Sequence, residues 1–328
     1  MLLSLLFAVA LAETVAPPEA PLPAEVPAAA PETREEAWEQ LGPDALMQQA
    51  LAFQADGRRG AALERLAYLS EHHPDPAVTF EIGKTLELDE DYAAALAAYD
   101  DVLSGGGQEL VHHNAAFRRA IVLEDLGRHK DSLAQIKALQ DAGTWTAAEA
   151  LSLELCRGIA ELSAGRTRKG LQRIDAALVA LEGSTEQTWM RARARAALVD
   201  YLLDEAAGFE LKGDKKAARR LQKRNTLMLS AEQQVISIAQ LGETEYILVG
   251  LQRVGDAYLR LHDDLLAAPP PRKLSDAQEA EYTTLVAERS GILKRKARVY
   301  YDKGLQLADQ VGWEGKAREA LAARLAQL

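Results

Sequence analysis

The stretch that decides the fold is ELDEDYAAALAAYDDVLSGGG, residues 87–107, where an acidic turn precedes an alanine-rich segment and a glycine run. Tyr92, Ala95 and Tyr99 follow one another at spacings of three and four residues, which places them on one side of an α-helix. Gly105 begins the glycine run, and glycine commonly ends helices. The stretch therefore predicts a turn followed by a helix with a small residue in its packing face.

The same pattern occurs at three other places in the chain. Residues 44–74 align with residues 77–107, so that Ala62 falls on Ala95 at an offset of 33. Two later units follow at offsets of 37 and 38. Small residues at facing positions let two helices cross closely, and each helix pair leaves an apolar face for the next pair to cover. These small residues are Ala50, Gly83, Ala120 and Gly158 in the first helices, and Ala62, Ala95, Ser132 and Gly170 in the second helices.

This pattern resembles the tetratricopeptide repeat, a helix-turn-helix unit of roughly 34 residues. The resemblance covers about residues 42–182, and the fourth unit departs from it at Glu161, where the family has a large apolar residue. It implies an all-α fold in which about four repeat units, residues 36–182, form an α-solenoid. Residues 183–328 are predicted to continue the solenoid as long antiparallel helices at 186–211, 215–241, 243–267, 275–311 and 313–328.

The C-terminal region also resembles that of large tetratricopeptide-type proteins of bacterial envelopes. The shared features are Tyr258 and Leu261 on a long helix, a proline break, and then Tyr282 and Lys296 on the next helix. This second resemblance implies no catalytic residues.

The N-terminus predicts export. Residues 1–12, MLLSLLFAVALA, are apolar, are shorter than the roughly 20 residues that span a bilayer, and end in the small-x-small form of a signal-peptidase site. Residues 13–35 are a Pro/Ala-rich linker. We therefore predict a signal peptide and a location in the periplasm or cell envelope. A buried N-terminal helix and an uncleaved anchor remain alternatives.

Composition argues against several classes of function. The net charge of −11 argues against nucleic acid as a partner, because phosphate backbones are held by Lys and Arg. Cys156 is the one cysteine, so no intrachain disulfide forms, and we predict that it is a small buried apolar residue. The adjacent pairs His72-His73 and His112-His113 are poor chelates because neighbouring residues point to different sides of a helix. We predict no catalytic residue, metal or cofactor, and hence no enzyme.

The resemblance to tetratricopeptide repeats implies a concave groove, lined by the first helices, that binds a partner protein or peptide. The implied apolar strip suits a hydrophobic peptide or an amphipathic helix. In the alternative, the N-terminal tail or the second-half helices cover the strip and make it core. The implied groove residues are Met47, Leu51, Phe80, Lys84, Glu87, Asn114, Phe117, Ile121 and Glu124.

A basic stripe is the second candidate surface. Its side chains recur three or four residues apart and predict either a solvated helix face or a docking strip for an acidic partner or a membrane surface. The stripe comprises Lys212, Lys215, Lys216, Arg219, Arg220, Lys223 and Arg224. The sequence thus predicts a non-catalytic interaction scaffold of the bacterial envelope, with peripheral membrane contact through this stripe as the alternative.

Overall fold

The computed structural model describes residues 34–106, 108–212, 214, 216–271 and 274–328. The predicted signal peptide and most of the predicted linker lie outside the described residues. The chain divides into two units, Met1–Gln40 and Leu41–Leu328. In the first unit the described residues are helical, and the guanidinium of Arg34 lies 5.0 Å from the ring centre of Trp38.

The described residues form thirteen helices and no strand, which confirms the predicted all-α class. The helices are α1 Arg34–Ala55, α2 Arg59–His72, α3 Pro76–Leu88, α4 Tyr92–Ser104, α5 Glu109–Asp125, α6 His129–Ala142, α7 Ala147–Ser163, α8 Thr167–Ala180, α9 Thr188–Ala207, α10 Ala217–Ala239, α11 Thr244–Ala267, α12 Asp276–Gln310 and α13 Lys316–Ala326. Gly42, with φ of 75°, interrupts α1 just before Pro43.

Helices α1 to α8 form four helix-turn-helix pairs, and all eight predicted small residues are buried in them. In the opening stretch, the side chain of Asp91 accepts a hydrogen bond from the Ala94 amide at the start of α4, and Gly105 follows its end. A Cβ at Gly158 would lie 2.7 Å from Ile174, and one at Gly170 would lie 2.7 Å from the carbonyl oxygen of Gly158. Small residues are therefore required where α7 crosses α8. The sequence of helix pairs confirms the predicted fold, a tetratricopeptide-like α-solenoid.

The second half consists of the long helices α9 to α12 and the short α13, and their bounds differ from the predicted ones. The helix predicted at 186–211 ends at Ala207, where Gly208 follows. The helix predicted at 313–328 begins only at Lys316, because Trp313 lies in a turn after Gly312 and is buried. The predicted capping box of Ser275 with Gln278 is present at the start of α12.

Candidate functional site

The predicted groove residues lie on the first helices α1, α3 and α5, but their side chains differ widely in exposure. Asn114 is exposed, whereas Ile121 is 2% exposed and packs in a core cluster with Leu155 and Ile159 of α7. Ile121 is thus a core residue rather than a partner contact in this structure. Glu87 and Phe117 are also buried, and the half-buried ones are Met47, Leu51, Phe80, Lys84 and Glu124.

Helices of the second half lie against the face that the sequence predicts as an open groove. On α9, Arg193 forms an ion pair of 2.6 Å with Asp125 of α5. Arg193 also forms an ion pair of 3.1 Å with the predicted groove residue Glu124, and Glu245 and Tyr246 at the start of α11 line a cavity together with Leu51 and Lys84. These contacts correspond to the alternative in which second-half helices cover part of the strip. The groove is therefore divided into separate cavities.

Glu87 has a structural role here. Its carboxylate accepts a hydrogen bond of 2.7 Å from the Tyr99 hydroxyl and forms an ion pair of 3.0 Å with Arg118. Burial raises the pKa of Tyr99, and the charge of Glu87 raises it further. Because both carboxylate oxygens have partners inside the protein, Glu87 connects α3 to α4 and α5.

Four aromatic rings converge on one cavity of about 230 Å³, which we call the aromatic pocket. Phe117 of α5 lies at its centre, with ring centres 6.0 Å from Trp145 and 6.0 Å from Trp189. Trp145 precedes α7 and donates a hydrogen bond of 2.5 Å to the Leu139 carbonyl, which holds the indole in place. Phe80 of α3 completes the set of rings lining the cavity.

The charged groups around the aromatic pocket already have partners. Arg118 lies 4.6 Å from the ring centre of Trp189 while it pairs with Glu87. Lys84 forms an ion pair of 3.0 Å with Glu81 on its own helix. These charges are compensated, and the four rings share the lining of the pocket with the polar side chains of Asn114, Ser152 and Gln187.

Two larger cavities, of about 490 and 590 Å³, lie between the repeats and the second half and share the lining residues Glu87, Leu88, Glu245 and Tyr246. Burial raises the pKa of Tyr246 to about 12. Burial also raises the pKa of Asp125 to about 6, an effect that the nearby Arg193 opposes. The 490 Å³ cavity is rich in carboxylates, several of which are ion-paired with arginines.

Sequence reasoning identified Phe80, Lys84, Asn114 and Phe117 of the aromatic pocket, but it missed Trp145 and Trp189. Tryptophan is rare here, with four in the chain, and two of them meet in this pocket. The rarity of tryptophan is the feature of the sequence that could have drawn attention to these two residues. Their meeting depends on how α9 packs against α5, which no local pattern encodes.

The predicted basic stripe does not form one continuous surface. Arg224 is 2% exposed and forms an ion pair of 2.6 Å with Asp264, and Arg220 folds back onto Asp214 at 2.6 Å. These two arginines lie on the inward side of α10, so the prediction of seven aligned charges is corrected. Lys215 lies outside the described residues, and the exposed remainder is Lys212, Lys216, Arg219 and Lys223.

Cys156 is a buried structural residue. Cys156 is buried 3.6 Å from the Met190 sulfur, and burial raises the pKa of its thiol to about 12, which confirms the small buried residue that was predicted. Among the described residues, no group of three His, Cys, Asp or Glu side chains is placed to hold a metal ion. No helix in the described part of the chain is long and apolar enough to cross a membrane.

No protein-family model and no curated protein matches this sequence. Among solved structures, the chain is similar to a tetratricopeptide repeat protein from Parabacteroides merdae ATCC 43184, with 18% identity, a TM-score of 0.37 and coverage of 87% of this chain and 99% of that one. It is also similar to the MamA RS-1 ArsTM double mutant, with 20% identity, a TM-score of 0.35 and coverage of 58% and 97%. A repeat protein from Bacteroides fragilis NCTC 9343 has 13% identity, a TM-score of 0.30 and coverage of 88% and 99%. Similarities this low carry no argument about function, which rests below on the geometry of the site.

Proposed function

We propose that this chain is a non-catalytic scaffold that binds a partner protein through a segment whose apolar side chain enters the aromatic pocket. The observation that carries this proposal is the convergence of Phe80, Phe117, Trp145 and Trp189 around one cavity. Aromatic side chains in such pockets commonly dominate binding energy, because they offer large rigid apolar surfaces at little entropic cost. A pocket of about 230 Å³ is the size for one large side chain rather than for a whole cofactor.

The chemistry of the site favours binding over catalysis. Catalysis by a nucleophile needs an activated thiolate or hydroxyl, whereas burial raises the pKa of Cys156. The carboxylates of the buried Glu87 and the half-buried Glu124 are held in ion pairs with arginines of neighbouring helices. These groups stabilise the packing of the repeats, and the rings of the aromatic pocket supply the recognition surface.

We also propose that the protein acts in the periplasm or cell envelope. The support is the apolar residues 1–12 and the Ala10-Leu11-Ala12 site before Glu13. Mass spectrometry of the protein purified from periplasmic and membrane fractions should find a chain that begins at Glu13. An unprocessed chain confined to the cytosol would contradict export, and an unprocessed chain in the membrane fraction would indicate a retained anchor instead.

The pocket is tested with peptides selected from a random-sequence phage library on the whole protein. We expect the selected peptides to share one large apolar residue. Substitution Phe80→Ala removes one wall of the pocket and should weaken binding by about 30-fold, which corresponds to roughly 2 kcal/mol. Binding is measured by the change in tryptophan fluorescence on titration, because Trp145 and Trp189 line the pocket.

The matched control is Phe209→Ala. Phe209 is half-buried like Phe80, but it lies between α9 and α10, where Lys223 stacks on its ring. This variant should bind the peptides as the unmodified protein does, while circular dichroism shows that both variants remain helical. Equal losses in the two variants, or no selected peptide at all, would refute the pocket as the binding site.

A further inference from the structure

Helix α12 carries an apolar strip on the side that faces away from the protein core. Its inward side packs on α11, where Tyr301 is fully buried and donates a hydrogen bond of 2.7 Å to Asp256. Ile292 precedes Tyr301 by nine residues, which is two and a half helical turns, so the two side chains lie on opposite sides of α12. The outward strip consists of Leu285, Ile292 and Val299, which are 41%, 60% and 48% exposed.

The spacing of this strip keeps its three side chains on one line along α12, with charged residues at the positions three and four residues after each of them. Leu285, Ile292 and Val299 are seven residues apart, and a seven-residue repeat keeps side chains nearly in line along a helix. Helix α12 is 35 residues long, so the strip has a straight support of about 50 Å. Exposed apolar side chains aligned in this way can pack against a matching strip on a second helix.

The charges beside the strip change sign along the helix. Glu281 and Glu288 lie before Ile292, and Arg295 and Lys303 lie after it. All four side chains are exposed, and none of them forms an ion pair with another described residue. Arg289 is the one basic side chain of α12 before Ile292, so the first half of the helix is net acidic and the second half is net basic.

We propose that two copies of this chain pair through α12 in antiparallel orientation, with the two-fold axis at Ile292. Glu281 and Lys303 are each eleven residues from Ile292, so each Glu281 comes opposite Lys303 of the other copy. Leu285 and Val299 are each seven residues away and come opposite each other in the same manner. Glu288 of one copy then lies beside Arg295 of the other copy. Parallel pairing would instead place like charges together, which destabilises paired helices.

This symmetry makes a second copy the occupant that the strip fits best. An isologous interface needs a surface that is complementary to itself when it is rotated by half a turn. The α12 strip meets this requirement in its apolar positions and in the charges of Glu281, Glu288, Arg295 and Lys303, whereas Arg289 has no acidic counterpart in the other copy. The surface is separate from the aromatic pocket, whose residues lie on α3, α5 and α9 and before α7, so the two proposals are tested independently.

The test measures the mass of the whole protein in solution by sedimentation equilibrium at micromolar concentrations. We expect a mass of two chains for the unmodified protein and of one chain for Ile292→Arg. Val179→Arg is the matched control, because Val179 is 63% exposed on α8, away from the strip. This control should remain a dimer.

Charge reversal tests the antiparallel register. Glu281→Lys and Lys303→Glu should each weaken association by about tenfold, because each places two pairs of like charges in contact. The double variant restores opposite charges and should regain association. A monomeric unmodified protein, loss of association in Val179→Arg, or a double variant no better than the single ones would overturn the proposal.

Discussion

At the scale of single residues, Asp125 makes the stability of the protein depend on pH. One of its carboxylate oxygens accepts a hydrogen bond of 2.6 Å from Arg193, while the other is buried with no partner among the described residues. Burial raises the pKa of Asp125 from 3.8 to about 6, although Arg193 favours the charged form. The folded state therefore binds a proton more tightly than the unfolded chain does.

The sign of the effect follows from this difference. Between about pH 4 and pH 6 the folded state holds the Asp125 proton and the unfolded state releases it, so the free energy of unfolding falls as pH rises. A pKa of about 6 in place of 3.8 corresponds to roughly 3 kcal/mol across this range. Asp125→Asn keeps the shape of the side chain and removes its titration.

Urea unfolding at a series of pH values from 4 to 7 checks this prediction. The unmodified protein should lose stability relative to Asp125→Asn as pH rises from about 4 to about 6, with no further relative loss above that. A difference between the two proteins that stays constant over the whole series would contradict the assigned cause.

At the scale of helices, the repeat pattern could be predicted because its causes are local. The small residue Ala95 marks a close helix crossing wherever it occurs at the right distance from a turn, and its side chain is fully buried. The turn can also be predicted from the sequence, because it contains a glycine in three of the units. Gly57, Gly127 and Gly165 take a positive φ there. In the second unit Glu90 takes the same conformation with φ of 60°, although it is not glycine. The spacing therefore identified the turn even where its usual residue is missing.

The candidate site could be predicted only in part, because its exposure depends on distant segments. Groove residues were inferred from the first helices alone, yet Glu124 pairs with Arg193, which is 69 positions further along the chain. The ring of Trp189 likewise reaches Arg118 only after α9 has packed against α5. Periodicity indicates which side of a helix is apolar. It does not indicate which later helix will cover that side.

At the scale of the whole compact unit Leu41–Leu328, the last residues of the chain contact the first helix pair. Trp313, in the turn between α12 and α13, packs on Gly57 in the turn between α1 and α2. The amide of Glu314 donates a hydrogen bond of 2.9 Å to the Asp56 carbonyl. Trp313 also lines the 590 Å³ cavity. This contact therefore joins the ends of the unit at the edge of the cavity.

Two equivalent glycines separate the contribution of this contact from that of the turn. Gly57 and Gly127 have φ of 76° and 72°, so alanine strains the backbone equally at both. A Cβ at Gly127 has no atom within 4 Å, whereas one at Gly57 would lie 2.8 Å from the Trp313 indole. Gly127→Ala should cost about 1 kcal/mol of stability. Gly57→Ala should cost about 1–2 kcal/mol more, because the indole must move out of a packed position.

Urea unfolding gives the two free energies, and hydrogen exchange at the Glu314 amide shows where the difference arises. If the end of the chain is held by its contact with the first repeat, Gly57→Ala will speed exchange at Glu314 while Gly127→Ala leaves it slow. Equal stability losses with slow exchange in both variants would mean that the Trp313 indole moves aside without lowering the free energy of unfolding. The first repeat and the end of the chain would then be held together by the ion pair of Arg58 with Glu314 and by the hydrogen bond from the Glu314 amide to Asp56, not by the indole.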